Sequence, residues 1–293
     1  MMIKKIVLGS AQWGSDYGVS NINGKTGYKE MLNILSIAHS KGIRLIDTAP
    51  AYGGAEESLS KKNFSGFNFI TKTQKFSKHE ITTDDIFKLT SAFNKSLDLF
   101  GKNHIYGILV HHAPDVMVKG GEYICEVLNN FKNKGLVKKI GVSIYDSKNL
   151  DSICERLKPD IVQLPINVID QGFIKDGTLK YLKNKGIEIH ARSIFLQGLL
   201  LMSPSQIPAY FKPWAHILNA WHSACHNQKF DFLEAALNFV IKIKEIDYCI
   251  LGFEDSTQLT QCILTLSDKR EFNAVDIDSS DIDLVNPTKW RID

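Results

Sequence analysis

The sequence predicts an α/β protein, a single (β/α)8 barrel of TIM-barrel architecture, and three observations carry that prediction. Eight short β-rich runs recur along the 293 residues with helix-like patterns between and after them. Several runs are apolar almost throughout, as expected of strands buried on both faces. Three successive runs lead into Asp47, Lys72 and His111, and neighbouring parallel strands would bring those ends together at one mouth. The competing arrangement, a doubly wound open sheet, normally shows a glycine fingerprint at its first turn. Here that turn reads Gly9-Ser10-Ala11-Gln12-Trp13-Gly14, and no P-loop is present.

Strands are expected over 6–9, 44–48, 68–72, 105–111, 139–143, 161–164, 188–193 and 248–251. The first helix, over 27–41, places Met31, Ile34, Leu35 and Ala38 on one face, and Gly42 supplies its stop. Thr83-Asp84-Asp85-Ile86 opens another helix with two carboxylates at its positive end, and Ile86, Leu89, Phe93 and Leu97 form its apolar face. Further helices are expected over 123–134, 146–157, 172–185, 231–242 and 256–267. The irregular stretch 202–219, with Pro204, Pro208 and Pro213, belongs to a long loop after the seventh strand, about 199–228; such loops usually shape ligand sites. No Pro/Gly/Ser-rich linker divides the chain, so residues 1–293 are expected to form one domain.

Composition is that of a soluble globular protein, 44% hydrophobic and 23% charged. A net charge of +3 with both signs mixed throughout gives little support to nucleic acid or membrane as partners. Five scattered cysteines, without CxxC spacing, argue against a disulfide framework or a zinc knuckle. The segment from Met1 to Gly9 has two lysines but too short an apolar run for a signal sequence. A cytoplasmic location is expected.

Asp47 and Tyr52 lie in Asp47-Thr48-Ala49-Pro50-Ala51-Tyr52-Gly53, where a proline-containing turn folds the phenol back over the mouth that Asp47 lines. Taken alone, the pair also reads as a helix-capping aspartate and a loop tyrosine. Lys72 weighs against that reading: an ammonium ending an apolar strand needs a partner, and Asp47 on the adjacent strand is the natural one, with a snorkelling surface lysine as the competing reading. His111 and His112 are adjacent on a strand and point to opposite faces, so both cannot easily ligate one ion. No metal site is expected.

At this point the chain resembles the aldo-keto reductase family over nearly its full length. The ordered set that carries the resemblance comprises 8–14, 46–53, Thr71-Lys72, Leu109-Val110-His111-His112, Ile140-Gly141-Val142-Ser143, 162–167 and 191–198. The resemblance implies a barrel that reduces carbonyls with NAD(H) or NADP(H) held at its C-terminal mouth, which would explain the absent glycine fingerprint. It also implies a catalytic tetrad of Asp47, Tyr52, Lys72 and His111. In this scheme Lys72 lowers the phenol's pKa, Asp47 orients Lys72, and His111 hydrogen-bonds the substrate oxygen while Tyr52 donates a proton.

By the same resemblance Ser143 and Gln163 would bind the nicotinamide carboxamide. Arg192 stands where relatives stack an aromatic ring on the nicotinamide; a guanidinium plane can stack as well, so Arg192, with Ser193 beside it, is expected to bind the cofactor, while Ile144 replaces a common asparagine. Gly252, Glu254 and Gln258 fall at the adenosine end, where NADP-specific relatives usually offer a lysine or arginine. Carboxylates there would repel a 2′-phosphate and accept a ribose diol, so NADH is the expected preference. The helix from Ser256 is expected to aim its N-terminus at the cofactor phosphates.

Trp13, Tyr17 and His112 are expected at the substrate pocket, with packing beneath a loop as the competing reading of the aromatics. Trp214 and Trp221 would either close the site or anchor their loop. The resemblance implies a small aldehyde or ketone as substrate, with a keto-sugar as the narrower expectation, and a monomer as the family default. The alternative function is a cofactor-binding sensor or partner subunit on the same fold; a third is a barrel enzyme using Lys72 as a Schiff-base nucleophile.

Overall fold

Strands β1 Ile6–Gly9, β2 Leu45–Asp47, β3 Asn68–Lys72, β4 Ile105–Val110, β5 Val137–Ser143, β6 Ile161–Pro165, β7 Glu188–Arg192 and β8 Tyr248–Gly252 close into a parallel barrel in chain order, with β8 paired back to β1. This computed structural model describes residues 2–61, 66–274 and 276–292. Met1, at the head of the N-terminal segment considered above, lies outside the described residues. The helices are α1 Tyr28–Ser40, α2 Ala55–Ser60, α3 Thr83–Phe100, α4 Gly121–Asn133, α5 Leu150–Leu157, α6 Gly172–Lys175, α7 Thr178–Asn184, α8 Ala215–Gln228, α9 Phe232–Ile241, α10 Ser256–Thr265 and α11 Ile282–Val285. Among the described residues no helix is long and apolar enough to cross a membrane. All five cysteines are buried as free thiols.

Strand alternation sets the barrel's interior in layers. Val7, Leu45, Ile70, Leu109 and Ile161 form one apolar cluster. The residues two positions further along are Gly9, Asp47, Lys72, His111 and Gln163, so the polar ring lies one pleat above a hydrophobic floor. Gly141 belongs to that floor, and a Cβ there would fall 2.2 Å from the Ile161 carbonyl oxygen. The opposite strand faces, including Leu8, Ile46, Phe69, Ile108 and Val162, pack with the surrounding helices in the main core.

The structure redraws two elements. The helix expected over 172–185 is two, α6 and α7, because Gly177 turns left-handed (φ +80°) ahead of α7. The loop expected over about 199–228 holds 3-10 turns at Leu196–Leu201, Pro204–Gln206 and Ala209–Trp214, followed by the 14-residue α8. Pro204 occupies the first turn of its 3-10 helix, where a missing N–H costs nothing, so this proline starts helical structure instead of preventing it. The helix expected to open at Thr83 does so, with Thr82 as its cap: Thr82 and Asp85 form a reciprocal capping box.

Candidate active site

Strand termini place the polar groups at the mouth. Asp47 ends β2 and Lys72 ends β3, and the register pairing Asp47 with Ile70 leaves Lys72 one pleat higher. Lys72 Nζ therefore reaches Asp47 Oδ1 at 2.5 Å and the Thr48 carbonyl oxygen at 3.1 Å. Gln163, from β6, donates its amide N–H to the other Asp47 oxygen at 2.8 Å. Both members of the ion pair are almost fully buried, and with both carboxylate oxygens engaged the desolvation cost is offset. Burial works against the Lys72 ammonium, but attraction to Asp47 and then Tyr52 outweighs it, so its pKa lies above the ordinary value. Lys72 is a permanent cation at neutral pH.

Tyr52 is held from behind by backbone. A Cβ at Gly14 would fall 1.6 Å from the Tyr52 carbonyl oxygen, and Gly53 is left-handed (φ +58°) against the Gly14 carbonyl. Only two glycines allow the first loop to lie flush against this turn. Lys72 Nζ lies 4.9 Å from the Tyr52 ring centre, and the His111 ring stands edge-on to it at 5.9 Å. Burial pushes the Tyr52 phenol upward and Lys72 is the largest opposing influence; the net shift is still upward. Lys72 lowers the phenol's pKa as expected, but it only moderates a larger rise that burial imposes. The phenol keeps its proton at neutral pH.

His111 is brought down to about 4, first by burial and then by the Lys72 charge, so the imidazole facing Tyr52 is neutral. Its Nδ1 is buried without a hydrogen-bond partner among the described residues. His112 lies elsewhere. Its Nδ1 pairs with Asp115 Oδ1 at 2.8 Å, and the Asp115 carboxylate accepts the Phe76 and Ser77 backbone N–H groups at 2.9 and 3.0 Å. His112 braces the loop after β3 and does not line the cavity.

A cavity of about 1190 Å³ opens from this group, passes the start of α10 and continues to Asp268 and Thr288. Ser143, Gln163, Arg192 and Ser193 line its reaction end, and Gly252, Glu254 and Gln258 its far end. The volume exceeds that usual for a drug-sized ligand, and the lining is polar at both ends. Tyr17, 42% exposed, lines the mouth. Trp13 does not: at 1% exposure it belongs to the main core. Trp221 and Trp214 anchor their segment, donating to the Leu200 carbonyl (3.1 Å) and to Asp281 (2.8 Å).

The start of α10 differs from expectation. The Ser256 N–H donates to Glu30 Oε1 at 2.6 Å and the Gln258 N–H to Asp255 Oδ1 at 2.8 Å, so two donors expected to meet phosphate are taken by carboxylates. Glu254 receives Asn23 Nδ2 at 3.4 Å, and burial raises its pKa. Sequence reasoning also missed Tyr145, Gln12, Ser20 and Gln197 in the cavity wall. Tyr145 was findable, since it leaves β5 two residues after Ser143 and so shares its side. Ser20 and Gln197 had no such signal: they meet where the first loop docks on the turn after β7 through Val19 N–H to Gln197 O, 2.9 Å.

The barrel carries a buried lysine–aspartate pair beneath a tyrosine and a neutral histidine, opening on a large cavity, and its family is one of oxidoreductases. The chain belongs to the aldo/keto reductase family, whose model matches residues 5–281. It is 26% identical over 204 residues to an uncharacterized oxidoreductase, YtbE, of Bacillus subtilis, covering 66% of this chain and 69% of that protein. It is 22% identical over 282 residues to an NADH-specific methylglyoxal reductase of Escherichia coli, covering 84% and 85%. In structure it resembles the aldo-keto reductase AKR11C1 of Bacillus halodurans, in its holo form, with a TM-score of 0.72 at 15% identity over 93% and 89% of the two chains. A putative aldo-keto reductase of Pseudomonas aeruginosa gives 0.64 at 19% identity over 89% and 88%.

Proposed function

We propose that this protein reduces a small aldehyde or ketone, a keto-sugar among the candidates, to the alcohol, with Tyr52 as proton donor and NADH preferred over NADPH. The observation that carries the reading is the sealed Lys72–Asp47 pair beneath Tyr52, beside a neutral His111. A carbonyl oxygen seated between Tyr52 and His111 accepts a hydrogen bond from each. As negative charge develops on that oxygen, Tyr52 transfers its proton, and the phenolate left behind is stabilised by the nearby Lys72 ammonium. Asp47 keeps that ammonium charged and placed. A neutral imidazole donates without competing for the proton. Bound reduced nicotinamide supplies the hydride.

Ser143 and Gln163 would hold the carboxamide; with its amide N–H committed to Asp47, Gln163 retains its oxygen as an acceptor. Support for NADH comes from the carboxylates Glu254, Asp255 and Glu30 around the start of α10, and from the E. coli relative named NADH-specific. Titrating the protein with NADH and NADPH by nicotinamide fluorescence, then assaying aldehydes and keto-sugars with Tyr52→Phe as control, tests the proposal. Reduction that Tyr52→Phe slows by roughly 10²- to 10⁴-fold is expected. Binding without turnover across the panel would replace the enzyme with a cofactor sensor.

A further inference from the structure

Among the described residues Arg192 is the only lysine or arginine lining the cavity. Lys72 is buried below and paired with Asp47. Arg192 sits at the reaction end: its charge acts on both Tyr52 and His111, whereas the groups acting on Glu254 at the far end do not include it. Its guanidinium lies 4.0 Å from the Tyr145 ring centre, and two of its N–H groups donate to the Ile144 carbonyl oxygen at 3.0 Å and to Ser193 Oγ at 3.3 Å. None of these partners is a carboxylate. Five N–H groups are available on a guanidinium, so three remain.

A guanidinium fixed by a ring face, a carbonyl and a hydroxyl is preorganised; its charge also reaches the Asp170 carboxylate, but among the described residues it forms no ion pair, and such a guanidinium beside reacting groups is suited to an oxyanion. We infer that Arg192 is the receptor for a carboxylate carried by the substrate, so that the site selects carbonyl compounds bearing an acid group close to the reducible carbon. The inference rests on the reductase reading and narrows its substrate class. It also gives Arg192 a task that an aromatic ring at this position would not perform. Tyr145 holds one face of the guanidinium, which leaves its N–H edge for the anion.

The test compares kcat/KM with NADH for succinic semialdehyde and its methyl ester, which share the aldehyde and differ in charge. The wild type is expected to favour the acid by roughly 10- to 100-fold, expressed mainly in KM, as a charge-assisted pair would give. Arg192→Met should bring the ratio close to one, and Arg192→Lys, which keeps the charge without the planar fork, should leave an intermediate ratio. A wild-type ratio near one overturns the inference, as does a ratio that survives Arg192→Met. So does an Arg192→Met variant whose NADH Kd rises tenfold while the ratio holds, because the guanidinium would then belong to the cofactor phosphates. Equilibrium binding of succinate against succinamide to the NADH-loaded protein separates the two readings. Arg192-dependent succinate binding with no aldehyde turned over would retire the reductase and keep the receptor.

Discussion

The two ends of the cavity are charged in opposite ways. At the reaction end Lys72 is matched to Asp47 inside the barrel wall, both carboxylate oxygens are engaged, and Arg192 adds a positive charge at the rim. Around the start of α10, Glu30, Glu254 and Asp255 gather with no lysine or arginine among the lining residues described there. Strand ends build the first region, and their register admits little variation. Loops and a helix cap build the second, to which the proposal assigns cofactor choice. The difference separates chemistry, fixed by the barrel, from selectivity, carried by what hangs on it.

The largest contrast should appear in stability. Asp47→Asn leaves the Lys72 ammonium buried without its counter-ion and should cost about 3–5 kcal/mol, read as a lower urea midpoint. Glu254→Gln, at the rim of the far end, should change stability by less than about 0.5 kcal/mol. Equal costs would mean that the ion pair is not the keystone described above.

This asymmetry also explains what the sequence disclosed. Asp47, Lys72 and His111 each stand at or just after the end of an apolar strand, and period-two alternation on neighbouring parallel strands aims them at one mouth. That argument needs only local pattern. The segment after β7 resisted it because Pro204, Pro208 and Pro213 look like breakers, although the chain uses 3-10 turns and then α8 there. Trp13 and His112 were misplaced for a related reason: a residue type alone does not tell which side of a loop faces the cavity. The carboxylates capping α10 include Glu30, more than 200 residues away in sequence, which no local reading supplies.

A second effect is pH-dependent and confined to the reaction end. His111 titrates at about 4 in the folded protein against an ordinary 6.5. Between those values the unfolded chain binds a proton that the folded one refuses, so stability is fully present above about pH 6.5 and falls as the pH drops toward 4, by up to roughly 3 kcal/mol. His111→Gln should remove this component. The difference in urea midpoint between wild type and variant, measured at pH 7 and at pH 4.5, isolates it; a difference that does not move with pH would contradict a buried neutral imidazole.

Gly14→Ala tests how the backbone holds Tyr52. A methyl group has no room beside the Tyr52 carbonyl, so the turn must shift. Stability should fall by about 1–3 kcal/mol, and displacing the phenol should lower kcat more than it raises KM. Wild-type kcat in Gly14→Ala would show that the flush contact does not position Tyr52.

The smallest effect belongs to the far end and concerns cofactor charge. A 2′-phosphate near Glu254 meets like charge across a partly solvated gap, a repulsion worth on the order of 1 kcal/mol, or several-fold in affinity. Glu254→Gln should therefore tighten NADPH by roughly three- to tenfold while moving the NADH Kd by less than about twofold. Across a solvated gap salt should act in the same direction: the proposed preference for NADH should narrow at high ionic strength, and the variant should show little salt dependence of the ratio. If Glu254→Gln leaves the NADPH Kd where it was, the phosphate lies away from this carboxylate. The acidic start of α10 would then serve the fold, through the capping of Ser256 and Gln258, and not the choice of cofactor.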